Sequence, residues 1–237
     1  MVLRRTQERI HQIVQSVLWV YLAVAFALLL ALFHYRRLTQ KWDDRRAFLA
    51  YFAAFFCFFL VLPSLIIFLF SPDPFLFLKE AGFSLGNWRR GVGIAAVGAP
   101  IAILSGFIGS RDVELRRFYP FSKRACRSLR SFVAFEVAYL LLYYVSWEFL
   151  YRGILFFPLI PAVGLIPALA LQTIISTLHH AGHPQSEIFA SLAGGFVFGL
   201  IAYLTGSFIY PIFLHALTGI STDSFIYLRD YRRATRG

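Results

Sequence analysis

The chain has 237 residues, of which 59% are hydrophobic and only 15% charged, and its mean hydropathy is +0.66. That balance excludes an ordinary soluble domain and indicates a polytopic membrane protein. The formal net charge of +11 does not imply nucleic acid, because the basic residues cluster beside apolar runs, where the positive-inside rule accounts for them.

A helix crossing a bilayer core needs about 20 apolar residues. Seven windows supply them or come close: 13–33, 47–70, 91–108, 132–160, 163–178, 188–204 and 208–227. The expected fold class is all-α, a polytopic membrane helix bundle of about seven transmembrane helices, within a range of six to eight, forming a single integral-membrane domain over 1–237. The last three windows are short or contain polar residues, which sets that range.

The first window follows a basic N-terminus, as a signal peptide's does. It runs past 18 residues and ends at "HYRR" without a small-residue cleavage site, so it reads as a retained span. The segment 71–90, "SPDPFLFLKEAGFSLGNWRR", carries Pro72, Pro74 and aromatics suited to the membrane interface. Cys57 lies in an apolar run and Cys126 in a basic loop, which indicates neither a disulfide framework nor a metal site. With seven spans, the clusters at 36–46, 111–130 and 229–236 share one side. The smaller set, Arg4, Arg5, Arg9, Lys79, Arg89 and Arg90, lies on the other. The expected orientation therefore puts the N-terminus outside and the C-terminus in the cytoplasm, in a plasma (inner) membrane whose anionic lipid meets the basic loops.

Residues 1 to about 130 carry nothing that resembles chemistry. The segment 131–228 does, with four of the six histidines and with Glu136, Glu148, Glu187 and Asp223. Ionisable groups inside membrane segments point to function by default. Glu148 and Arg152 in "WEFLYRG" are four apart, with the acid N-terminal to the base, the better orientation for a pair on one helix face. "LHHAGHPQSE" interrupts an apolar run with His179, His180 and His183, and Pro184 starts or breaks a helix there. His183 and Glu187 are again four apart. In "PIFLHALTGISTD", His215, Gly219 and Asp223 are spaced by fours. Taken singly, each group fits a bland reading about as well: a packing ion pair, a polar surface loop, a satisfied helix histidine.

Hairpin geometry ties them together. Glu148 and His183 are nearly equidistant from a turn expected at 158–164, which puts them at similar depth in antiparallel helices. From a turn near Gly206, His215 falls level with about Phe198, so a break at Pro184 or a tilted last helix is needed to bring it in.

The order of these motifs resembles the CAAX prenyl protease and bacteriocin-processing (CPBP) family of intramembrane proteases, over roughly 131–225. That family's motifs are Glu-Glu-xxx-Arg, Phe-xxx-His and His-xxx-Asn/Asp. Here they read "WEFLYRG", "HHAGH" ending at His183, and "HALTG" beginning at His215. Trp147 stands at the first glutamate, the family's presumed general base, while His179 replaces the phenylalanine and Gly219 the final Asn/Asp.

The resemblance implies an intramembrane endopeptidase acting on a membrane protein or a lipid-anchored peptide, with no role for nucleic acid. The expected roles are water activation by Glu148 and His183, orientation of Glu148 by Arg152, and oxyanion stabilisation by His215. Asp223 is expected to orient His215, and Glu187 to orient His183. A second option is a divalent metal such as zinc on His183, His215 and Glu148 or Glu187, although no contiguous HExxH is present. The alternatives are a catalytically inactive CPBP-like scaffold or binding protein, supported by Trp147, and a transporter or proton relay, which has no inverted-repeat signal behind it.

Overall fold

The computed structural model describes residues 2–231, with side chains from Arg9 onward. Among the basic residues that set the expected orientation, the side chains of Arg4 and Arg5, and Arg232, Arg233 and Arg236 altogether, lie outside the described residues. The described chain is helical, without strands. Its main rods are α1 (Arg9–Leu38, broken once at His34), α2 (Asp44–Phe70), α3 (Trp88–Gly109), α4 (Leu129–Val163), α5 (Leu165–Leu178), α6 (Gln185–Thr205) and α7 (Ile209–Ile226). All seven expected windows are helical. Five of the rods, α1, α2, α3, α4 and α6, are long and apolar enough to cross a membrane. Helix α5 has 14 residues, and the 18-residue α7 carries His215, Thr218, Thr222 and Asp223.

Local chemistry explains the boundaries. Asp43, Asn87 and Ser128 cap α2, α3 and α4 by accepting backbone N–H bonds from Arg46, Arg90 and Ser131 at 3.1, 3.1 and 3.2 Å. Gly164 (φ +86°) separates α4 from α5, and Gly206 (φ +68°) ends α6, both in conformations that favour glycine. The turn expected over 158–164 is thus confined to Gly164, and α4 continues through Pro158 and Pro161. The segment 71–90 contains a short helix, Pro74–Glu80, capped by Asp73. Its exposed Phe75, Leu76, Phe83, Leu85 and Trp88 suit the interface.

Aromatic stacking joins α2 to α4: Phe52 lies on Tyr139 (centroids 4.7 Å, 10°) and Phe55 on Trp147 (5.8 Å, 10°). Small residues bring α3 against α7. A Cβ built on Gly106 would stand 2.7 Å from Ser221 Cβ and 2.9 Å from the backbone of Thr218 and Thr222. At one end of the bundle the basic loops meet. The backbone N–H of Arg124 donates to Asp44 (3.0 Å), and Arg36 Nη2 donates to the carbonyl of Gly182 (2.8 Å), which brings the α5–α6 turn to that end.

Candidate active site

The site begins with a change of helical gauge. After Glu148, α4 widens into a π-helical stretch, Phe149–Leu155, of the kind frequent at functional positions. Glu148 is fully buried, and Arg152 is 2% exposed. Two such groups need each other at this depth, since removing a partner leaves an uncompensated charge. Arg152 Nη1 lies 3.3 Å from Glu148 Oε1, and His215 Nδ1 reaches the same oxygen at 2.6 Å from α7.

A second carboxylate–histidine pair forms at the α5–α6 turn. Gly182 adopts φ +92°, so the chain reverses between His180 and Pro184 and places Glu187 in the first turn of α6. Glu187 Oε1 then lies 3.0 Å from His183 Nδ1 and accepts a 2.6 Å hydrogen bond from the Tyr119 hydroxyl. Tyr119 belongs to the loop before α4. Burial, followed by the Glu187 charge, pushes its phenol well above the usual value, which keeps it a donor. His180 anchors its Nδ1 on the carbonyl of Ser176 at 3.0 Å, and its Nε2 lies 3.9 Å from Glu187.

Carbonyls and carboxylates only accept, so these contacts assign the Nδ1 proton of His180, His183 and His215. Each ring keeps Nε2 as its remaining nitrogen. All three line one cavity of about 630 Å³ between α3, α4, α6 and α7, together with Tyr144, Trp147, Arg152, Glu187 and Asp223. His179 does something else. It is held in the core by the hydroxyls of Tyr151 (2.9 Å) and Tyr51 (3.2 Å), against Phe55 and Trp147.

Of the residues expected at the site, Arg152, His183, Glu187, His215 and Asp223 line the cavity. Glu148 stands behind them, holding Arg152 and His215. The helix order that placed His215 level with Phe198 corresponds to a ring contact at 5.3 Å, and α7 also reaches Glu148.

Two expectations are corrected. Glu148, not Asp223, holds His215. Asp223 lies eight residues along α7, about 12 Å at 1.5 Å per residue, where it adjoins the buried Glu136. Neither Glu136 nor Asp223 finds a hydrogen-bond donor for its carboxylate oxygens. The metal set His183, His215 and Glu148 is not assembled as a cluster: among the described residues, no group of three or more His, Cys, Asp or Glu is placed to hold a metal ion. Those residues are divided between two separate histidine–carboxylate pairs.

Trp147 occupies its position completely, 1% exposed and stacked on Phe55, with His180 at 4.9 Å and His215 at 6.0 Å between ring centroids. Sequence reasoning missed Tyr119 altogether, since nothing in its local pattern links it to a turn more than sixty residues away. It also gave no particular weight to His180.

No curated protein and no solved structure matches the chain. Residues 129–221 do match a family model, described as Type II CAAX prenyl endopeptidase Rce1-like, and they include both Glu148–Arg152–His215 and His183–Glu187. The part of the chain that builds this cavity is therefore similar to the type II CAAX prenyl endopeptidases.

Proposed function

We propose that this protein is an intramembrane endopeptidase that hydrolyses a peptide bond of a membrane-associated substrate in the α3–α4–α6–α7 cavity. One observation carries the reading: two histidines, each tethered at Nδ1 by its own carboxylate, line the same cavity, His183 from the α5–α6 turn and His215 from α7. A carboxylate behind a histidine fixes its tautomer and orientation and compensates the charge that the ring gains during proton transfer.

In this reading His183, backed by Glu187 and Tyr119, is the base. Its Nε2 takes a proton from a water whose oxygen adds to the scissile carbonyl carbon, and the π pair of that carbonyl moves onto its oxygen. His215 as imidazolium, held by Glu148 and Arg152, donates Nε2–H to that oxyanion. On collapse the C–N bond breaks and the proton on His183 passes to the leaving nitrogen. Glu148 is then a positioning residue, which its burial behind His215 favours over direct contact with water.

The basic loops gathered at the His183 end support an arrangement in which that end and the C-terminus face the cytoplasm of a plasma (inner) membrane, beside anionic lipid. A lipid-anchored peptide entering from that side is the favoured substrate class. The inactive-scaffold reading draws on Trp147, which fills the first-motif position with an aromatic side chain.

The test uses the full chain in proteoliposomes with a panel of membrane-anchored peptides, lipidated and not, followed by mass spectrometry of the products. Cleavage that disappears in His183→Ala and His215→Ala, with both variants folded, supports the enzyme. A folded wild-type protein that binds panel peptides without cleaving any supports the scaffold.

A further inference from the structure

Gly219 lies one helical turn beyond His215 on α7, and the position its side chain would occupy is already filled. A Cβ built there would stand 1.7 Å from the hydroxyl oxygen of Tyr144 and 2.8 Å from Cζ of the same ring. Real Cβ atoms do not tolerate such approaches, so the glycine is what admits the phenol. Tyr144 comes from α4, at the end of the π-helical stretch Leu140–Tyr144 and one helical turn before Glu148. Its ring meets His215 edge to face at 4.9 Å, and both residues line the cavity.

The hydroxyl is therefore delivered to the α7 wall, within a turn of the histidine assigned to the oxyanion. Tyr144 is 2% exposed, and a phenol O–H buried in a membrane protein gains most where it has an acceptor.

We infer that Tyr144 is a further catalytic residue, whose hydroxyl, admitted by Gly219, donates a second hydrogen bond to the carbonyl oxygen that His215 stabilises. The inference rests on the proposed endopeptidase reading and deepens it. When water adds to the scissile carbon and the carbonyl π pair moves onto oxygen, the new negative charge is shared by His215 Nε2–H and Tyr144 O–H. Neither proton leaves its donor in this step. The charge returns to the carbonyl as the C–N bond breaks and His183 protonates the leaving nitrogen. An oxyanion needs donors aimed from more than one direction, and those set in place before reaction cost no reorganisation when the charge develops.

Tyr144→Phe removes one oxygen and keeps the ring against His215. In proteoliposomes, on a peptide the wild type cleaves, the expected result is a fall in kcat of about 10²-fold or more. KM should stay within about twofold, and the thermal unfolding midpoint should be close to wild type. Gly219→Ala, which forces the phenol aside, should also lower kcat while Tyr144 is intact. Wild-type kcat in folded Tyr144→Phe overturns the assignment of Tyr144 and leaves the protease reading standing. Should the wild type cleave nothing in the panel, the protease reading fails and the role of Tyr144 fails with it. If Tyr144→Phe does not fold, Gly219→Ala decides the matter, and wild-type kcat in that variant overturns the proposal.

Discussion

His215 Nδ1 lies 2.6 Å from Glu148 Oε1, the oxygen that also faces Arg152 at 3.3 Å. One carboxylate oxygen thus ties a helix to its own next turn and to a helix 67 residues away. Glu148→Gln keeps the size and removes the charge. The expected outcome is a loss of kcat of about 10²-fold or more, the scale for a positioned donor, together with lower stability. Leaving Arg152 without its buried counter-charge costs about 3–5 kcal/mol. Cleavage assays and thermal unfolding in one detergent check both, and an active, equally stable variant would sink the positioning role.

Tyr119 is expected to act through Glu187. Tyr119→Phe removes a hydrogen bond to a charged group, worth about 1.5–3 kcal/mol, and should lower kcat by about tenfold with the fold retained. In a Glu187→Gln background the same change should cost little more, because the two act on one ring. A double-mutant cycle on kcat measures this, and fully additive losses would separate Tyr119 from His183.

Trp147→Glu places a carboxylate at the position where the CPBP motif has one. The aromatic packing on Phe55, stacked, and Tyr143, tilted, makes the expected result destabilisation, of the same order as the roughly 3–5 kcal/mol for truncating a large core aromatic. Cleavage is expected to fall with it. Increased cleavage, read on the same peptide panel, would show instead that Trp147 obstructs a site waiting for that acid.

Two glycines on α3 should behave in opposite ways. Gly106→Leu drives a side chain into the backbone of Thr218 and Thr222 and should shift α7, lowering both the unfolding midpoint and kcat. Gly93→Ala meets nothing within 4 Å. Its expected effect is neutral to stabilising by about 0.5–1 kcal/mol, from reduced backbone freedom. Unfolding midpoints of the two variants decide the point, and equal midpoints would mean that α3 and α7 do not depend on close contact at Gly106.

Much of the architecture was legible because it follows from local rules. Apolar length marks the spans and Gly206 marks a turn, since each depends only on its neighbours in the chain. Glu148 with Arg152 and His183 with Glu187 were legible for the same reason: residues four apart meet on a helix or across its first turn. Two features were not. No composition marks the π-helical stretch 149–155, because its hydrogen-bond register answers to tertiary packing. The proline-bearing 158–164 segment suggests a turn, yet the chain stays helical until Gly164.

The sequence by itself determined that this chain is a membrane helix bundle with its ionisable groups gathered in one half, because the cost of charge in hydrocarbon makes every such residue stand out. Only the tertiary structure decided which groups touch. It gave His215 to Glu148 and set Asp223 beside Glu136, brought Tyr119 to Glu187, kept His179 in the core, and laid the Tyr144 hydroxyl over Gly219. These pairings depend on helix rotation and close approach across the bundle, and spacing along one strand of sequence carries no record of what a neighbouring helix presents.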